Sequence, residues 1–76
     1  MPRLPVVSGR EAIRALEGLG YQVSRTRGSH VRLVCNGRPS VTLPLHRELD
    51  RGTLSAILDE AGITVEEFLK LLGRRA

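Results

Sequence analysis

Apolar residues along the chain change their spacing twice, and the changes divide it into three stretches. Ala12, Ile13, Leu16 and Leu19 recur at helical spacing behind Ser8-Gly9-Arg10-Glu11. That tetrad is a capping box, with Ser8 as N-cap and Glu11 reaching back to it, so a first helix is predicted to run to Gly18–Gly20. Alternation with period two then takes over in three short segments, Tyr21–Thr26, His30–Cys35 and Pro39–Pro44. Gly28-Ser29 and Asn36-Gly37 separate them and read as hairpin turns. Helical spacing returns with Leu54, Ile57, Leu58 and Ala61 after a start near Asp50, and Gly62 ends it. A second capping box, Thr64 to Glu67, opens a last helix in which Ile63 staples onto Phe68 and Leu69 and Leu72 extend the apolar side. Met1–Val7 reads as an extended lead-in, Leu45–Leu49 as a linker, and Gly73-Arg74-Arg75 as a basic tail.

The order is α-β-β-β-α-α, an α+β class in which an antiparallel three-stranded meander carries its helices on one face. Register follows from the requirement that one sheet face be apolar. Two-residue hairpin loops mix polar and apolar side chains on both faces. Three-residue loops shift the pairing by one and separate them. Tyr21, Val23, Val31, Leu33, Cys35, Val41 and Leu43 then share the helix side. Gln22, Ser24, Thr26, His30, Arg32, Ser40 and Thr42 share the face left in water.

Size and charge narrow the picture. With 76 residues, 1–76 is expected to form a single domain. A chain this short buries only about 60% of its unfolded surface, which leaves one modest core and no deep substrate cavity. The formal charge is +4 and eleven of the twelve basic residues are arginine. A basic surface favours nucleic acid, an anionic membrane or an acidic protein. The arginine bias leans towards phosphate, although a GC-rich genome would produce it without function. Cys35, the single cysteine, excludes an internal disulfide and reads as a small core residue. Neither a signal peptide nor a membrane-spanning run is present, so a soluble cytoplasmic protein without membrane partners is expected.

The chemistry concentrates in Arg25-Thr26-Arg27-Gly28-Ser29-His30-Val31-Arg32. Arginine offers forked positive charge to phosphate oxygens, and histidine exchanges protons near neutral pH. The plainer reading is that a lone histidine at a strand start is an ordinary solvated residue and an R-x-R run a solvated edge. Spacing alone does not displace it. His46, after a proline in the linker, reads first as a structural polar group that holds the linker's path. Gly28 and Ser29 shape the turn, and no carboxylate–histidine relay marks Ser29 as a nucleophile.

Four short motifs in order change that balance. They are Gly20-Tyr21, Arg27-Gly28-Ser29-His30, Leu43-Pro44-Leu45-His46, and Arg51-Gly52-Thr53-Leu54 with Ile57-Leu58 and Ala61-Gly62-Ile63. Together they resemble HicA-type toxins (the YcfA-like family), over about Ser8 to Leu72. The resemblance implies a fold like that of double-stranded RNA-binding domains, ribosome-independent cleavage of mRNA, and neutralisation by a cognate HicB-type antitoxin. The family's G-S-H histidine falls on His30, which makes it the expected catalytic residue. Arg25, Arg27 and Arg32, with Ser29 and His46, are the expected contacts to single-stranded or structured mRNA. No convergent carboxylates or histidines suggest a metal, and no cofactor is expected. The free toxin is expected to be a monomer. The sequence departs from many relatives at Asp50, where they carry a basic or neutral residue, and at Val31, near which they add a histidine or an aromatic. Asp50 is expected to weaken RNA contact there. The alternative is a non-catalytic RNA-binding module, which the scarcity of exposed aromatics disfavours.

Overall fold

Capping side chains set all three helix starts in the computed structural model, which describes residues 3–73. Helix α1 (Gly9–Leu19) begins where Ser8 Oγ accepts the Glu11 N–H at 3.1 Å and the Glu11 carboxylate accepts the Ser8 N–H at 2.9 Å. Helix α3 (Val65–Leu72) repeats the arrangement with Thr64 and Glu67, at 3.1 and 2.9 Å. Helix α2 (Arg51–Ala61) opens on Asp50, whose carboxylate accepts the Thr53 N–H at 2.7 Å and the Thr53 hydroxyl at 3.0 Å. The departure at Asp50 is therefore a helix cap. The expected lead-in residues Met1 and Pro2 and the tail residues Arg74 and Arg75 lie outside the described residues.

Between α1 and α2 the chain forms β1 (Gln22–Arg27), β2 (His30–Cys35) and β3 (Arg38–Pro44), antiparallel and in the order β1-β2-β3. Both loops hold two residues, not the three expected, because Arg27 pairs with His30 and Cys35 with Arg38. The one-residue offset comes instead from bulges. Ser24 is the extra residue in β1, between the pairs Val23–Leu33 and Arg25–Arg32. In β3, Pro39 and Ser40 together stand opposite Val34. A bulge shifts faces as a longer loop would, but it does so upstream of the turn. Thr26 thus stands opposite Val31 on the helix side, and Arg25 and Arg27 join His30 and Arg32 on the outer face. That reverses the expected placement of Thr26.

The helix side of β2 and β3 is dry. Val31, Leu33, Val41 and Leu43 are at most 3% exposed and pack with Ala12 and Leu16 of α1, Leu54, Ile57 and Leu58 of α2, and Phe68 of α3. Each aliphatic side chain buried in this way contributes about 1.5–3 kcal/mol. Two details correct the sequence reading. Leu49, expected in a linker, is buried, and its N–H donates to the Val7 carbonyl at 2.8 Å. Val23, expected in the core, is 48% exposed, because β1 is an edge strand with all six residues exposed. Two polar side chains fasten the layers. The buried Tyr21 donates its hydroxyl to the carbonyl of Pro39 in the β3 bulge at 2.8 Å, and burial pushes its phenol above the ordinary value. Arg38 Nη1–H donates to the Ala61 carbonyl at the end of α2, at 2.8 Å. No helix among the described residues is long and apolar enough to cross a membrane.

Candidate nucleic-acid interface

The outer sheet face gathers most of the chemistry. Arg27 and His30 face each other across the first hairpin, Arg25 and Arg32 form the next outer pair, and Thr42 of β3 stands opposite Arg32. These five side chains line one open depression of about 200 Å³, and all five residues are exposed. Three guanidiniums around one imidazole form a positive, solvent-facing surface with one group able to exchange a proton.

The backbone explains how this surface holds its shape. Gly28 takes a φ of 58°, in the left-handed region that a primed hairpin turn needs at its first loop position and that a side chain would oppose. The turn does not hang free. Leu45 N–H donates to the Ser29 carbonyl at 2.7 Å, and Gly9 N–H donates to the His46 carbonyl at 2.9 Å. The start of α1, the segment after β3 and the His30 turn are thereby tied together. Gly9 has to be a glycine here, because a Cβ would run into the carbonyl oxygen of Pro44 and stand 2.9 Å from the Leu45 Cα.

Of the expected site residues, Arg25, Arg27, His30 and Arg32 come together. Ser29 sits in the adjoining turn and contributes its carbonyl to the tie. His46 does not line the depression. Its carbonyl anchors Gly9, and its side chain adds to the positive potential on the Asp50 carboxylate. Thr42 was placed on the outer face by strand alternation but not named among the site residues. Gly9 supports the site through a close backbone approach that has no local signal in the sequence. Among the described residues, no three His, Cys, Asp or Glu side chains form a group that could hold a metal ion.

The family model for the HicA toxin of bacterial toxin–antitoxin matches residues 9–63. This chain belongs to the HicA toxin family. The matched span of this HicA protein runs from Gly9 at the start of α1 to Ile63 and contains the whole depression around His30. A search of curated proteins finds no match. Among solved structures, this chain is similar to a chain of a toxin–antitoxin complex from Streptococcus pneumoniae, with a TM-score of 0.65 and 29% sequence identity. That likeness covers 75% of this chain and 98% of the other.

Proposed function

We propose that this HicA protein is the toxin of a toxin–antitoxin pair and acts as a metal-independent endoribonuclease on mRNA, with His30 as its general acid or base. The observation that carries the reading is the placement of His30 among Arg25, Arg27 and Arg32 on an open face. An RNA strand carries its own nucleophile. His30 takes the proton from a 2′-OH, the O2′–P bond forms and the P–O5′ bond breaks, leaving a 2′,3′-cyclic phosphate and a 5′-OH that draws its proton from water. Alternatively, water takes the 2′-OH proton and His30 gives its proton to the departing O5′. Either role is worth about 10²–10⁴-fold. The arginines offset the charge that builds on the phosphorane-like transition state and hold the flanking phosphates. With one proton-transfer group and an open site, the turnover is slow.

The test uses RNA in a metal-free buffer containing chelator. The oligonucleotide is expected to be cut to a 2′,3′-cyclic phosphate, while one with 2′-deoxyribose at the cleaved position binds and stays intact. Cutting of the deoxy substrate at a normal rate would rule out the 2′-OH mechanism. Binding of both without cleavage would leave the RNA-binding module as the better reading.

The similarity to a chain from a toxin–antitoxin complex supports a cognate antitoxin as the second partner. An acidic antitoxin surface fits the outer face, because opposite charge steers association and covering His30 silences it directly. Hydrogen exchange should then show protection over 25–32 and 44–47 on binding. Protection confined to 50–72 would point to inhibition from a distance. Until the antitoxin binds, the toxin is read as a cytoplasmic monomer.

A further inference from the structure

A second opening lies on the other side of β1. It is a groove of about 320 Å³ between α1 and the sheet edge. Its helical wall is Arg10, Ile13, Arg14 and Glu17, spaced i, i+3, i+4 and i+7 and so on one face of α1. Val23, Val31 and Leu45, with the polar Thr26, line the rest. Val23 is among the few large hydrophobics exposed on the described surface. Strand β1 beside it is an edge strand in which every residue is exposed. An edge of this kind presents backbone groups ready to pair with another chain.

We infer that this groove seats an extended, acidic and apolar segment of the antitoxin, added as a strand along β1. The inference rests on the toxin reading above and extends the antitoxin's contact beyond the face around His30. From Arg10 to Glu17 the helix rises about 10 Å, the length of about three residues of extended chain. Side chains that face the groove from such a strand recur every second residue. One carboxylate therefore meets the Arg10–Arg14 end, and the next facing position lays an apolar side chain over Ile13 and Val23. Main-chain hydrogen bonds to an edge give affinity, and alternate side chains in pockets give specificity.

Two features favour a protein segment over nucleic acid. Glu17 stands in the helical wall, where it would repel a continuous phosphate backbone. The apolar lining gains from burial under a side chain and gains little from a sugar–phosphate strand.

The test titrates the purified cognate antitoxin into the toxin by calorimetry, with RNA cleavage by the free toxin measured in parallel. Two variants are compared with the parent, Val23→Glu and the pair Arg10→Glu with Arg14→Glu. All three positions are exposed, and thermal melting confirms that each variant is folded. Antitoxin affinity is expected to fall about tenfold or more in Val23→Glu, because a carboxylate must then be buried against apolar contact. The double variant should slow association and lower its salt dependence. Cleavage by the free variants should match the parent. Unchanged antitoxin affinity in both overturns the inference. So does a loss of RNA binding without a loss of antitoxin binding, which would make the groove a nucleic-acid site. The titration contains no RNA, so an inactive parent would count against the nuclease reading alone.

Discussion

The two faces of the sheet are built from alternate residues of the same strands, yet they share almost no chemistry. On the helix side, Val31, Leu33, Val41 and Leu43 are nearly water-free and make the fold. On the outer side, Arg25, Arg27, His30, Arg32 and Thr42 lie in solvent and bury nothing. A single step along β2, from His30 to Val31, crosses from proposed chemistry to core. The division means that stability and activity should respond to different substitutions. A site made this way can change its specificity without disturbing its scaffold. It also has no walls of its own, so its selectivity must come from charge and from the partners laid upon it.

The strongest test of the division is on the outer face. His30→Ala should lower the cleavage rate by about 10²–10⁴-fold, the range for a lost acid–base group. Its melting temperature should stay within a few degrees of the parent, because an exposed side chain away from caps and core has little effect on stability. An RNA cleavage assay and a thermal melt on one preparation decide the matter. Retained activity would remove His30 from the mechanism, and loss of folding would give it a structural role.

Leu33→Ala probes the opposite face. Leu33 is 0% exposed, and truncating such a leucine costs about 2–5 kcal/mol. A chain of this length holds only about 4–11 kcal/mol in all, at about 0.05–0.15 kcal/mol per residue. Urea unfolding should show that loss, while the cleavage rate per folded molecule stays near the parent value. A rate that falls among the folded molecules would mean that the faces are coupled.

Gly9 is where they should be coupled. Its backbone approaches Pro44 and Leu45, and its N–H holds the His46 carbonyl. Alanine is normally the better helix former, but here its Cβ meets backbone atoms that cannot swing aside. Gly9→Ala should therefore destabilise by about 1–3 kcal/mol, the usual cost of overpacking. For a domain of this size that is about 4–8 °C in melting temperature for each kcal/mol. Cleavage should fall as well, since the strand end that the helix would displace stands opposite His30. A stable and fully active alanine variant would show that this junction yields.

These particulars separate what was legible in the sequence from what was not. Ser8–Glu11 and Thr64–Glu67 were readable because a capping box is closed within four residues. Leu54, Ile57, Leu58 and Ala61 were readable because helical period marks the buried stripe directly, and all four are buried. The outer placement of His30 and Arg32 followed from alternation within one strand. Placement of Thr26 failed because it depends on where the extra residue of the first hairpin lies. A third loop residue and a bulge at Ser24 satisfy the same apolar pattern, and only the packed sheet distinguishes them. Leu49 was missed for a related reason. It is buried in the shared core and its N–H bonds the carbonyl of Val7, 49 − 7 = 42 positions away in the chain, and no local period announces that. Arg25, Arg27, His30 and Arg32 were therefore legible as a group, while the side on which Thr26 lies and the absence of His46 from the depression were not.

The smallest effect expected concerns acid, and it asks whether the pH dependence of stability belongs to the helix layer. The Asp50 carboxyl is held below its ordinary range, first by the Thr53 N–H and then by the Thr53 hydroxyl. Glu67 is held low in the same way by Thr64. In the unfolded chain both return to ordinary values of about 4. A carboxyl whose folded pKa is depressed stabilises the fold fully above its unfolded pKa, and that contribution is lost as pH falls through the folded pKa. Melting temperature should therefore be flat from neutrality to about pH 5 and decline below about pH 4. Asp50→Asn separates the cap from its charge. Asparagine caps a helix about as well as aspartate, but it does not titrate. At pH 7 the variant should melt close to the parent, and below pH 4 its curve should fall less steeply. Because both carboxylates are exposed, the change is a shallow one, best read as a difference between two pH series. Parallel curves would mean that Asp50 contributes no acid sensitivity, and the decline would then have to be sought outside this cap.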